Sequence, residues 1–142
     1  MSSVKQILDT KGRDIWSVDP KNTVYDAIKL MADKGVGCLL VMDGEKLLGI
    51  VTERDYARKV ILENKSSKKT PVKDLMTVDV ICVSPTQNVQ ECMALMTNGR
   101  MRHLPVVDGE RVEGLISIGD LVKAIIAEQQ FEIEQLQHYI NS

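Results

Sequence analysis

DPKNTVYDAIKLMADKGVGCLLVMDGEKLLGIVTERD at residues 19–55 returns as SPTQNVQECMALMTNGRMRHLPVVDGERVEGLISIGD at residues 84–120. The two stretches align without a gap at an offset of 65 residues, with 11 identities in 37 positions. The matched pairs are apolar or turn residues, such as Pro20/Pro85, Met31/Met96, Val41/Val106 and Gly44/Gly109, together with three acidic pairs, of which Asp43/Asp108 and Glu45/Glu110 flank the turn glycine and Asp55/Asp120 lies beyond the hairpin. A unit of about 60 residues buries too little surface to be comfortably stable alone, so the duplication points to one two-repeat module. Two units related by a pseudo-twofold axis would form two equivalent clefts, and function is expected there.

Within each copy the apolar residues first recur at helical spacing: Val24, Ala27, Ile28 and Met31, then Val89, Cys92, Met93 and Met96. Gly35 to Gly37 and Asn98-Gly99 are the expected stops. CLLVM (38–42) and LLGIVT (47–52) flank Asp43-Gly44, and HLPVV (103–107) and VEGLIS (112–117) flank Asp108-Gly109, so each pair reads as a β-hairpin. A second helix follows, from Asp55 to about Leu62 and from Asp120 onward. IWSV (15–18) and VICV (80–83) read as a further short strand before each repeat, and VKQIL (4–8) resembles VKDLM (72–76). The fold class is therefore α+β, each repeat running β-α-β-β-α. The chain divides into repeat 1 at 4–62, a polar linker at 63–71, repeat 2 at 72–126 and a C-terminal helix extension at 127–142. Leu121, Ile125, Phe131, Leu136 and Ile140 give that last helix surplus apolar surface, and a homodimer is expected to cover it.

The 142 residues carry a formal net charge of −2, which argues against a general nucleic-acid binder; Lys65, Lys68 and Lys69 form the one dense basic cluster. No apolar run reaches the ~18 residues of a membrane helix, and the opening MSSVKQILDT has no signal-type apolar region. Cys38, Cys82 and Cys92 form no C-x-x-C pair and join no metal-site spacing with His103 or His138. Free thiols, no metal and a reduced cytoplasmic setting are the expectations. No nucleophile–His–acid set, phosphate-cradling glycine loop or His/Glu metal cluster is present, so the chain is not expected to be an enzyme.

The segment with chemistry in it is G-h-h-[ST]-x-x-D, at Gly49–Asp55 and again at Gly114–Asp120. It falls where a strand ends and a helix starts, where free N–H groups favour anions. An aspartate fixed there can accept both hydroxyls of a ribose, with Thr52 or Ser117 serving ribose or phosphate oxygens. The same pattern is also a helix capping box, which needs no ligand. Arg54, with Arg58 one turn later, adds a cation that capping does not require and a phosphate does. Arg100, Arg102 and His103 add up to three cations to the second copy, where the first has Gly35, Gly37 and Cys38.

The doubled motif, the Asp-Gly hairpins and RHLPVVD resemble the cystathionine-β-synthase (CBS) domain family, as a stand-alone CBS pair or Bateman module, over about Val4 to Ile126. The resemblance implies two units packed through their sheets, regulation rather than catalysis, and clefts for adenosine-containing ligands such as AMP, ADP, ATP or NAD, acting on an effector protein. It implies a first, cationic cleft joining Thr52, Arg54 and Asp55 to Thr77, Val80, Arg102, His103 and Pro105. A second, nearly neutral cleft would join Ser117 and Asp120 to Ile15, Gly37 and Cys38. The rival readings are a structural or protein-interaction module whose Thr/Asp pairs are only caps, and a nucleic-acid binder using the lysine linker with Arg100 and Arg102.

Overall fold

Thr23 and Asn88 start equivalent helices because each side chain accepts the amide three residues on, while Asp26 and Glu91 reach back to the cap amide. From such local decisions the computed structural model, which describes residues 2–141, builds a mixed α+β fold twice over. The elements in chain order are α1 (Val4–Lys11), β1 (Ser17–Val18), α2 (Val24–Lys34), β2 (Cys38–Asp43), β3 (Lys46–Thr52), α3 (Glu53–Tyr56), α4 (Val89–Gly99), β4 (His103–Asp108), β5 (Arg111–Ser117) and α5 (Ile118–Asn141). A π-helical turn, Ala57–Ile61, continues α3, and a 3-10 turn spans Val72–Asp74.

The first repeat holds a three-stranded sheet in which β2 lies between parallel β1 and antiparallel β3. The second holds the β4-β5 hairpin, and the strand expected at 80–83 contracts to one parallel bridge, Val83 to Val106. Proline explains part of the difference. Leu40 donates its amide to the Trp16 carbonyl at 3.1 Å, and the equivalent position in the second repeat is Pro105, which has no N–H to give.

The hydrophobic cores do not follow the sequence repeats. Val72 and Leu75, which open the second repeat, are buried with Val24, Met31, Leu39, Val41 and Val51 of the first. Val4, Ile7 and Leu8 of α1 are buried with Val89, Met96, Leu104, Val106, Ile116 and Leu121 of the second. Each repeat thus lends its leading segment to the other's core, and the compact units are drawn accordingly. One comprises Asp14–Val80 with Glu110–Val112; the other holds the chain through Arg13, Ile81–Gly109 and the chain from Glu113.

As expected, α4 ends at Asn98-Gly99, with Gly99 its last residue and Arg100 its cap in the left-handed region, the Arg100 amide bonded to the Met96 carbonyl. The helix extension expected from 127 is the second half of α5, which continues unbroken from Ile118 to Asn141. Leu121 is its one buried residue among those described, with Ala124 and Ile125 packed against the same core, while Val122, Ile126, Phe131, Ile133, Leu136, Tyr139 and Ile140 are exposed.

Candidate functional site

In an antiparallel hairpin the start of the first strand lies beside the end of the second. The β2-β3 register therefore sets Cys38 opposite Thr52, and the Glu53 amide donates to the Gly37 carbonyl at 3.1 Å. The second repeat repeats that contact 65 residues later, with the Ile118 amide donating to the Arg102 carbonyl at 2.9 Å. Gly37 and Cys38 accordingly belong with Thr52 and Asp55, and Arg102 and His103 belong with Ser117 and Asp120. The resemblance joined each motif to the second strand of the other repeat; the hairpin register sets that strand's start beside the motif of its own repeat. Arg102 and His103 thus add their side chains to the Ser117–Asp120 junction.

At the first junction Asp55 donates its amide to Thr52 Oγ1 at 3.1 Å, and its Oδ2 accepts the Thr52 amide at 3.1 Å and hydroxyl at 3.0 Å. The capping box is thus formed, and Lys59 Nζ stands 3.7 Å from Asp55 Oδ1. Thr77 joins this junction through the main chain, exchanging two hydrogen bonds with Ile50 of β3 at 2.9 and 3.0 Å. Thr77, Arg54 and Arg58 are exposed, and Ile15 and Val80 are half-buried; Val80 lies in the same compact unit as Asp55. Cys38 is buried, and that burial, with the Asp55 charge behind it, pushes its thiol up to about 12, so it stays protonated.

At the second junction Asp120 donates its amide to Ser117 Oγ at 3.2 Å and its Oδ2 accepts the Ser117 amide at 2.8 Å. That oxygen also receives Lys11 Nζ at 2.6 Å, and the same ammonium donates to the Leu115 carbonyl at 2.7 Å. Burial pushes the Asp120 carboxyl up, but the hydrogen bonds from Lys11 and Ser117 outweigh it and hold the group below its ordinary value. His103 is held below the usual imidazole value by burial first and by the Lys11 and Arg102 charges, against the opposing pull of Asp120. Pro105 is buried, with its carbonyl accepting the Val83 amide.

The glycine that opens each motif has a steric cause. A Cβ on Gly49 would lie 2.5 Å from the Thr77 carbonyl oxygen, and one on Gly114 would lie 2.7 Å from Leu8 Cδ2. Both glycines let a leading segment cross the last strand of its host repeat. Lys11 escaped the sequence reading, although the likeness of VKQIL to VKDLM signalled that α1 has a partner segment in the other repeat.

The family model for the CBS domain matches residues 4–62 and 72–127. A mitochondrial CBS domain-containing protein, CBSX3 of Arabidopsis thaliana, is 39% identical over 98% of this chain and 72% of its own length. Among solved structures, a CBS-domain protein from Burkholderia ambifaria is 60% identical, with a TM-score of 0.87 over 90% of this chain and 96% of that one. The CBS domain pair of protein MJ0100, solved in complex with 5-methylthioadenosine and S-adenosyl-L-methionine, is 25% identical, with a TM-score of 0.80 over 90% of this chain and 98% of that one.

Proposed function

Because the chain belongs to the CBS-domain family, we propose that it is a regulatory module without catalytic activity that binds adenosine-containing ligands of the AMP, ADP, ATP or NAD kind at its two strand-to-helix junctions. The observation that carries the reading is the duplicated carboxylate. Asp55 and Asp120 are each pinned at a helix start, with only 17% and 15% of their side chains exposed, in a family one of whose members holds two adenosyl compounds. A ligand held there would favour one arrangement of the module over others by its differential affinity, and an effector protein would respond to that arrangement. Free thiols fit a reduced cytoplasmic setting, and among the described residues no helix is long and apolar enough to cross a membrane.

Calorimetry with AMP and adenosine on the wild type, Asp55→Asn and Asp120→Asn tests the reading. Asparagine preserves a capping acceptor but removes the charge. Hydrogen bonds to a charged group are worth about 1.5–3 kcal/mol each, so each substitution should weaken its own site at least about tenfold. A specific observation favours the rival reading: both capping boxes are fully formed, so the Thr/Asp and Ser/Asp pairs have a structural role already. A thermal-shift panel of adenine nucleotides separates the two, because a ligand at about 100 times its dissociation constant adds roughly 2.7 kcal/mol of stability. A flat panel leaves only the structural module.

The partner on α5 is a second copy of the chain. Ile126, Ile133 and Ile140 alternate with Val122, Gln129 and Leu136 at steps of three and four, the spacing of a coiled-coil seam with β-branched residues on one side. All five apolar members of that seam are exposed in the single chain. Light scattering should give a dimer for the full chain and a monomer for a chain ending at Ala127; a monomeric full chain at micromolar concentration refutes the seam.

A further inference from the structure

The two junctions are built alike except for what occupies their last strand. In the first repeat the Ile50 carbonyl is taken by the Thr77 amide, main chain to main chain. In the second the equivalent carbonyl, Leu115, is taken by the ammonium of Lys11, which reaches on to Asp120 Oδ2 at 2.6 Å. Lys11 is the last residue of α1, and that helix is anchored by the buried side chains of Val4, Ile7 and Leu8 and closed by the Gly12 amide bonding back to Leu8. The cation is therefore delivered by an ordered element, and the Asp120 side chain it meets is only 15% exposed.

We propose that Lys11 is an internal occupant of the Asp120 site that sets the affinity and selectivity of the second junction. The inference rests on the reading that the two aspartates hold ribose hydroxyls. A ribose diol needs both carboxylate oxygens, so it competes with the ammonium for Oδ2, and an uncharged nucleoside brings no charge to replace the ion pair it breaks. The first aspartate is held less tightly, because Lys59 stands 3.7 Å from its Oδ1, beyond hydrogen-bond reach, where Lys11 bonds Asp120 at 2.6 Å. The same sequence motif thus yields one open and one self-occupied site.

The test is two-site calorimetry of the full chain with adenosine as the probe, on the wild type, Lys11→Met, and Lys11→Met with Asp120→Asn. Methionine keeps the apolar stem and removes the ammonium. The weaker site should tighten about five- to tenfold in Lys11→Met, and the gain should vanish when Asp120→Asn is added. A mutation-free measurement supports it: raising salt from about 50 to about 500 mM screens the ion pair, so wild-type affinity for this neutral ligand should rise with salt while that of Lys11→Met stays level. Unchanged or weakened adenosine binding in Lys11→Met, a gain that survives Asp120→Asn, or a wild-type affinity indifferent to salt overturns the proposal. If adenosine and AMP bind the wild type and are lost in Asp55→Asn while Lys11→Met changes nothing, the occupancy of Asp120 fails and the nucleotide reading stands. If no adenosine ligand binds any of the proteins, both fail together.

Discussion

The last strand of the first repeat is met by a backbone, and the last strand of the second by side chains. Thr77 pairs with Ile50 as a strand does, whereas Leu8 packs over Gly114 and Lys11 caps the Leu115 carbonyl. Both solutions satisfy a strand edge that would otherwise present unpaired groups, yet they differ in stiffness. A main-chain pairing cannot move without breaking two hydrogen bonds, while a leucine can change rotamer and a lysine can swing to solvent. Duplication fixed the fold of the halves and left the segments that cross them free to diverge.

The sharpest way to break that comparison is to put a methyl group under each crossing. Gly49→Ala would set Cβ 2.5 Å from the Thr77 carbonyl oxygen and 3.1 Å from Met76 Sδ, so the main-chain pairing must shift. Gly114→Ala meets the end of a flexible Leu8 side chain at 2.7 Å. Overpacking costs about 1–3 kcal/mol, and the first substitution belongs at the top of that range and the second at the bottom. Denaturant unfolding of both variants decides it; equal losses would mean that the two crossings are equally yielding.

His103 and Cys38 occupy equivalent positions, 65 residues apart, and they predict that pH acts on only one of the two junctions. Burial, helped by the Lys11 and Arg102 charges, lowers the folded pKa of His103, so the unfolded chain takes up a proton first as pH falls. Stability is therefore full above the unfolded imidazole value of about 6.5 and declines as pH drops from there through the folded value. The Cys38 thiol, up at about 12, does not titrate in this range. Thermal melts between about pH 7.5 and about pH 5.5 should show a decline in the wild type that His103→Gln flattens, with amide exchange loosening at β4 and not at β2. A decline that persists undiminished in His103→Gln would place the titrating group elsewhere.

Local signals carried the secondary structure, since the caps at Thr23 and Asn88, the Asp-Gly hairpins and the helical stripes all act within a few residues of themselves. The repeat carried the architecture. What the sequence concealed was every relation set by a long-range crossing: that α1 fills the core of the repeat it does not precede, and that Gly49 and Gly114 answer a steric demand from Thr77 and Leu8. The place of Gly37, Cys38, Arg102 and His103 was within reach, because an antiparallel hairpin puts them beside the end of its own second strand. The family resemblance pointed across the repeats where the hairpin geometry pointed within them. Lys11 could not be found from pattern alone, for a lysine in the last turn of a helix ordinarily does no more than favour the helix dipole.

The smallest effect tests the comparison where the two repeats differ by one Cβ. Gly35 and Arg100 end equivalent helices in the same left-handed conformation, with φ of 66° and 55°. A side chain there costs about 1 kcal/mol because Cβ crowds the following carbonyl, and glycine avoids the clash while giving back part of the gain in unfolded-state entropy. Arg100→Gly should therefore stabilise the protein by about 0.5 kcal/mol, and Gly35→Ala should destabilise it by about 1 kcal/mol. Nothing lies within 4 Å of a Cβ built on Gly35, so that second change reports backbone strain free of packing. Paired denaturant melts measure both. If Gly35→Ala costs its share while Arg100→Gly brings no gain, the Arg100 side chain contributes an offsetting interaction of its own. If neither moves the midpoint, the left-handed caps are not strained at all.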